Sequence, residues 1–311
     1  MPELTVGERQ WTVAAGSNLL DALNQQGLQV PYSCRAGSCH ACLVQCLRGE
    51  VGDRRPDALS AGQRQQGWRL ACQCEVLDDL QVAVFDPLRD GAPAVVEALD
   101  WLSPCVLRLR LSAERPLRYQ AGQHLVLWAG HVARPYSLAS LPQEDRFLEF
   151  HLDCRLPGAF SDAARALKIG DSIRLGELRG GALHYDPDWQ TRPLWLLAAG
   201  TGLAPLFGVL REALRQDHQG PIRVIHLAHD GPEHYLAKPL AALAANRANL
   251  SVELWTAAEL SAALAQLRLV SRQTLALLCG GPESVDAFAR RLYLAGLPRN
   301  QLLADVFLPR G

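Results

Sequence analysis

The stretch Tyr32-Ser-Cys-Arg-Ala-Gly-Ser-Cys-His-Ala-Cys42 carries three cysteines, Cys34, Cys39 and Cys42, separated by four residues and then by two. A fourth, Cys72, follows after 29 intervening residues. Four thiolates complete two tetrahedral irons bridged by two sulfides, and this spacing suits a 2Fe–2S cluster. The loop must turn sharply for three sulfurs to converge, and Gly37 provides a residue without the Cβ penalty. Zinc is the rival, because it also accepts four cysteines. Zinc ribbons usually carry two separated Cys-x-x-Cys knuckles, whereas here one compact triple is joined by a distant single. A disulfide framework fits poorly with an odd count of nine cysteines in a chain of 311 residues.

Around this stretch, residues 1–87 read as one small α+β unit. Leu4-Thr-Val and Gln10-Trp-Thr-Val suggest a strand pair around Gly7, and Ser17 opens a helix whose apolar face is Leu19, Leu20 and Leu23. Leu43-Val-Gln-Cys-Leu resumes as a strand, Gly67-Trp-Arg-Leu-Ala-Cys returns the chain with the fourth ligand, and Leu80-Gln-Val-Ala-Val-Phe closes the sheet. These residues resemble a plant-type ferredoxin, which implies a β-grasp fold and Cys34, Cys39, Cys42 and Cys72 as cluster ligands. His40 stands where many members of that family have a small residue. Cys74 lies two residues after Cys72, and on a strand both would face the same way. The Leu-Ala-Cys-Gln context favours Cys72. Cys74 and Cys46 read as buried small side chains.

Asp86-Pro-Leu-Arg-Asp-Gly-Ala-Pro reads as a short linker. Residues 94–190 then alternate with period two, as in Cys105-Val-Leu-Arg-Leu-Arg-Leu, Gly122-Gln-His-Leu-Val-Leu-Trp and Phe147-Leu-Glu-Phe-His-Leu, which predicts an antiparallel β-barrel or sandwich. Within it, Arg134-Pro135-Tyr136-Ser137 offers a cation for a phosphate, an aromatic face for a flat ring, and a hydroxyl. Taken alone this is an ordinary strand. Its order before Gly158-Ala159-Phe160-Ser161, Gly170-Asp and Gly176-Glu-Leu-Arg-Gly-Gly resembles the flavin domain of the ferredoxin–NADP reductase superfamily. The resemblance implies FAD, with Arg134 at its phosphate, Tyr136 on the isoalloxazine and Ser137 near the reactive nitrogen. Residues 158–161 would offer backbone N–H groups to the pyrophosphate.

From Thr191 to the end, residues 191–311, apolar strands alternate with helical stretches, which predicts a parallel α/β sheet. Leu194-Trp-Leu-Leu-Ala-Ala leads into Gly200-Thr201-Gly202-Leu-Ala-Pro, the place where such sheets bind nucleotides. A lone Gly-x-Gly is weak. Together with Cys279-Gly280-Gly-Pro it resembles the nicotinamide half of the same superfamily, which implies that Thr201 and Cys279 lie beside the nicotinamide. Asp305-Val-Phe307 matches an acidic-x-Phe ending near the flavin. No Arg or Lys occurs in 228–234 or 256–259, and Asp230 would repel a 2′-phosphate while accepting a ribose hydroxyl, so NADH is expected. His226, His229 and His234 are irregularly spaced and read as polar surface or loop residues.

The three segments in this order resemble the NADH-dependent reductase components of bacterial multicomponent oxygenases. The resemblance implies hydride transfer from NADH to FAD, then single electrons through the cluster to a partner protein. That partner would be an oxygenase component or a similar protein such as a dideoxysugar dehydrase. The different-class alternative is a redox sensor in which cluster and flavin act as switches. The net charge of −1, only two lysines (Lys168 and Lys238) and scattered arginines exclude nucleic acid as the main partner. No apolar run approaches the roughly 18 residues of a membrane span. The N-terminus shows no charged and apolar export signal, so a cytoplasmic protein is expected.

Overall fold

The computed structural model describes residues 1–308. Its chain divides into two compact units: Met1–Ala92 with Val126–Pro135 and Arg174–Arg179, and Pro93–Leu125 with Tyr136–Ile173 and the chain from Gly180 onward.

The first unit begins with the hairpin β1 (Glu3–Val6) and β2 (Arg9–Thr12), paired from Glu3↔Thr12 to Val6↔Arg9. The turn residue Gly7 has a φ of 58°, a left-handed conformation that glycine adopts without strain. Ser17 does not start the helix. Ser17–Asn18 form the short strand β3, and Asn18 caps α1 (Leu19–Gln25) by accepting from the Asp21 N–H at 3.3 Å. Then come β4 (Leu43–Arg48), β5 (Val51–Asp53), α2 (Ala61–Gln65), β6 (Trp68–Leu70), β7 (Cys74–Val76) and β8 (Leu80–Val84). The main sheet has the order β2-β1-β8-β4-β6, with β1 and β8 parallel, and α1 lies against it. Leu4, Leu19, Leu20, Leu23, Val44 and Val82 are fully buried in one core. Each such side chain contributes about 1.5–3 kcal/mol of burial, enough to hold the ligand loop on a rigid base. The linker is partly ordered: Asp86 caps one helical turn, α3 (Pro87–Asp90).

The next strands are β9 (Ala92–Trp101), β10 (Val106–Ala113), β11 (His124–Ala129), β12 (Val132–Ser137) and β13 (Leu148–Asp153), then α4 (Ala159–Ala166) and β14 (Ser172–Arg179). They form one six-stranded sheet, β12-β11-β14-β9-β10-β13. Leu138, the residue after β12, bridges to Phe150 of β13, so the two ends of the sheet meet as in a barrel.

The last sheet is parallel, in the order β17-β16-β15-β18-β19. Its elements are β15 (Leu194–Ala199), α5 (Leu203–Arg215), β16 (Ile222–Ala228), α6 (Ala237–Ala245), β17 (Leu250–Thr256), α7 (Leu260–Gln266), β18 (Leu275–Gly280), α8 (Pro282–Leu294) and β19 (Leu302–Val306). The central strand β15 is almost wholly buried, as the continuous apolar run required. The chain leaves β15 to one side and returns on β18 at the other. The carboxyl ends of β15 and β18 therefore flank the crevice where open α/β sheets take ligands.

Candidate cofactor sites

In the cluster loop, backbone geometry does the converging. Gly37 has a φ of 79°, and the N–H groups of Ala36, Ser38 and Cys39 each donate to Cys34 Sγ at 3.3 Å. The neighbouring Cys39 side chain favours the Cys34 thiolate, against burial, and the Ser38 side chain and the Ala36 and Cys39 N–H groups add to the effect. Cys72 is paired in the same way with Cys42, whose hydrogen bond lowers the Cys72 pKa against burial, with help from Gln73. The four sulfurs thus form two pairs, Cys34 with Cys39 and Cys42 with Cys72. Thiols with N–H groups aimed at sulfur are the donor chemistry of a two-iron cluster, although among the described residues no three His, Cys, Asp or Glu side chains are placed as a ready metal site.

Cys72 and Cys74 do not share a strand face. Cys72 sits in the turn Ala71–Gln73, whereas Cys74 opens β7 and is completely buried in the core, where burial pushes its thiol pKa up. Cys46 is half-buried, and burial raises its pKa to about 11. His40 takes a left-handed φ of 55°, a conformation that a residue with a Cβ adopts only with strain. Its buried ring points at Glu177 of β14, with Nδ1 3.4 Å from Oε2 and without hydrogen-bond geometry. Glu177 also binds Gln63 and pairs with Arg179 at 2.8 Å. Burial opposes ionisation of Glu177, but His40 and Arg179 together hold its pKa below normal. Cys39 and Ala41 pack with Val126, Trp128 and Ala133, and Phe85 stacks on Trp128 with ring centroids 5.3 Å apart at 16°. The ligand loop therefore rests directly on β11 and β12.

Strand β12 carries the flavin candidates. Arg134 and Pro135 are half-buried, and Arg134 Nη1 donates to the Ala133 carbonyl at 2.7 Å. Tyr136 is half-buried with its ring 4.9 Å from that of Phe160, and Ser137 is buried. Gly158 is the N-cap of α4, but its own N–H is taken by Asp162 Oδ2 at 3.2 Å. Ser161 Oγ donates to the Gly158 carbonyl at 3.0 Å. The anion-facing donors left at this helix start are the N–H groups of Ala159, Phe160 and Ser161, which have no partner within the helix.

At the end of β15, Gly200, Thr201 and Gly202 form one tight turn into α5. A Cβ on Gly202 would lie 2.2 Å from the Cys279 carbonyl oxygen, so only glycine allows the turn to seat on β18. Ala198 pairs with Cys279, Cys279 with Asp305, and the Phe307 N–H donates to the Gly280 carbonyl at 2.8 Å. The Gly-Thr-Gly turn, Cys279-Gly280 and Asp305–Phe307 are thus brought together. The Cys279 side chain is fully buried and its thiol pKa is pushed well up by burial, so this segment offers the crevice its backbone rather than its sulfur. Asp230 is exposed just after β16.

Of the three histidines, His229 is exposed and His234 lies in a loop, as expected, and His226 departs from expectation. His226 is fully buried on β16, with Nε2 3.1 Å from the Gly200 carbonyl, and His234 lies 5.2 Å from it, ring to ring. A strand's alternation does not mark this position, because β16 is buried on both faces.

A β-grasp unit with four paired cysteines, a barrel with an Arg-Pro-Tyr-Ser strand, and a parallel sheet with a Gly-Thr-Gly turn define an iron–sulfur flavoprotein reductase. Three families match in that order: the 2Fe-2S iron-sulfur cluster binding domain over residues 4–77, the oxidoreductase FAD-binding domain over 102–183, and the oxidoreductase NAD-binding domain over 196–290. The reductase subunit of an aromatic O-demethylase from Amycolatopsis sp. is 36% identical over 243 residues, 73% of this chain and 71% of its own. The ferredoxin–NAD(P)(+) reductase component of the naphthalene 1,2-dioxygenase/salicylate 5-hydroxylase systems of Ralstonia sp. is 30% identical and covers 95% of each chain. Among solved structures, an Amycolatopsis cytochrome P450 reductase superposes with a TM-score of 0.66 at 27% identity, covering 99% of both chains. The chain belongs to the family of reductase components that join a 2Fe–2S ferredoxin domain to an FAD- and NAD-binding module, as in multicomponent oxygenase systems. Its cofactors are a 2Fe–2S cluster, FAD and a nicotinamide dinucleotide. Among the described residues, no helix is long and apolar enough to cross a membrane.

Proposed function

We propose that this protein takes hydride from NADH onto FAD and passes electrons singly through its 2Fe–2S cluster to an oxygenase component or a similar acceptor protein. The observation that carries this reading is the seating of the cluster loop, through Cys39 and Ala41, on Val126, Trp128 and Ala133. Those strands run directly into Arg134. Nicotinamide delivers two electrons together, a flavin accepts two and releases them one at a time, and the cluster takes one. The chain's own residues supply position. Cys34, Cys39, Cys42 and Cys72 hold the irons, and Arg134, Tyr136, Ser137 and residues 158–161 hold FAD. Gly200, Thr201, Gly202, Cys279 and Gly280 shape the nicotinamide crevice, and Phe307 closes it. Functional segments at 1–87, 94–190 and 191–311 follow from this division of work. Nine reduced cysteines fit a cytoplasmic location.

NADH is the preferred donor because the turns after β16 and β17 present Asp230 and Glu259 and no Arg or Lys for a 2′-phosphate. The test is an anaerobic titration with NADH, and in parallel with NADPH, followed optically and by EPR. Flavin bleaching followed by a reduced-cluster EPR signal at lower NADH than NADPH is expected. Bleaching with no cluster signal would remove the proposed wire, and a higher kcat/KM for NADPH would reverse the nucleotide assignment.

A further inference from the structure

A buried polar chain runs beneath the nucleotide turn and is not explained by cofactor contact. Arg110 Nε donates to Glu149 Oε2 at 2.6 Å, and Glu149 Oε1 lies 2.9 Å from His151 Nε2. His151 Nδ1 lies 3.3 Å from the Tyr235 hydroxyl. The carboxylate can only accept, so Nε2 of His151 donates to it, and Nδ1 meets the Tyr235 hydroxyl, which can both donate and accept. Tyr235 then meets His226 edge-on at 5.5 Å, and His226 Nε2 donates to the Gly200 carbonyl, which likewise can only accept. Glu149, His151, Tyr235 and His226 are all buried.

Burial keeps the Tyr235 phenol protonated and lowers the His226 pKa to about 4, with the nearby His234 adding to the effect. Burial alone would raise the pKa of Glu149, but the His151 hydrogen bond and then Arg110 bring it down to about 2.

The two ends of the chain matter most. At one end, β13 is bound to the segment just after Ser137: the Ala139 N–H donates to the Glu149 carbonyl at 2.8 Å, and the Glu149 N–H donates to Ser140 Oγ at 3.1 Å. At the other end, His226 holds Gly200, whose φ of 53° begins the turn that carries Thr201. A chain of side chains from β13 to β16 therefore connects the Ser137 segment to the Gly200–Gly202 turn.

We propose that Glu149, His151, Tyr235 and His226 form a dry strut that sets the Gly200–Gly202 turn against the Ser137 segment, with Tyr235 and His226 as positioning residues for hydride transfer. This rests on the hydride-transfer reading above. A strut of this kind acts on alignment more than on binding, and alignment errors of about 1 Å cost up to about a hundredfold in rate.

The test uses the full chain loaded with FAD. Tyr235→Phe keeps the ring and removes only the hydroxyl. Anaerobic stopped-flow bleaching of the flavin by NADH is expected to slow by about tenfold per bound FAD. The NADH concentration giving half-maximal rate should be nearly unchanged, and the isotope effect with C4-deuterated NADH on steady-state kcat should rise as hydride transfer becomes limiting. His226→Ala should slow bleaching similarly, and His226→Gln, which restores an N–H donor, should recover much of it. A purely structural role would lower the melting temperature and leave the rate per bound FAD alone. A wild-type bleaching rate in Tyr235→Phe overturns the proposal. Failure of NADH to bleach the unsubstituted protein overturns the functional reading instead.

Discussion

At the scale of single residues, the choice between Cys72 and Cys74 turns on where each sulfur points. Cys72 hydrogen-bonds Cys42 and Gln73 in a turn, whereas Cys74 is at 0% exposure among core side chains. Cys72→Ser is expected to abolish bound iron and the reduced-cluster EPR signal while NADH-to-ferricyanide turnover through the flavin persists. Cys74→Ser is expected to keep its iron and lose about 1–3 kcal/mol of stability, because a hydroxyl replaces a thiol in an apolar site. Iron analysis of the two variants decides the matter, and a reversed pattern would move the fourth ligand to Cys74. His40 shows how a departure from a family pattern is accommodated. Its left-handed backbone costs about 1–2 kcal/mol, and the buried ring is held in return by its contact with Glu177.

At the scale of elements, the nucleotide turn depends on contact between two strands' ends. Gly202 touches the backbone of Cys279 and Gly280, with an added Cβ only 2.2 Å from the Cys279 oxygen and 2.7 Å from the Gly280 nitrogen. Backbone atoms cannot step aside as a side chain can. Gly202→Ala is therefore expected to raise the KM for NADH in the ferricyanide assay and to cost about 1–3 kcal/mol through overpacking. An unchanged KM with an unchanged melting temperature would show that the turn tolerates displacement. The Gly-x-Gly pattern was readable in the sequence, but the reason for its second glycine was not, since Cys279 lies more than seventy residues away. The parallel strands were legible because each is a continuous apolar run, and α1 was placed two residues early because Ser17 and Asn18 both have cap chemistry.

At the scale of the whole molecule, the proposed electron path needs the cluster loop held on the strands that lead to Arg134. Trp68, Phe85 and Trp128 form an aromatic row there, with Phe85 in contact with both tryptophans. Phe85→Leu keeps an apolar side chain but loses the stacking, worth about 0.5–1.5 kcal/mol. Reduction of cytochrome c by NADH is expected to fall by several-fold while ferricyanide reduction holds and iron and flavin contents stay constant. Equal losses in both assays would place the effect before the flavin. Electrostatics around the loop are locally balanced, since Arg35 pairs with Asp21, Arg54 with Glu75 and Arg69 with Asp53. These pairs leave little net field to steer an acceptor.

The class of the protein was legible in the amino-acid order because each cofactor segment is local. Three candidate ligand cysteines fall within one turn-rich loop, the candidate flavin strand is four consecutive residues, and the candidate nucleotide turn follows one apolar strand. Short-range spacing and glycine placement are enough to specify such features. Tertiary structure alone decided that Cys74 and the Cys279 thiol are core side chains, that His40 reaches Glu177, and that His226 supports Gly200 from beneath. Those outcomes depend on burial, and burial is set by residues distant in the chain that pack against each other only once the sheets have formed.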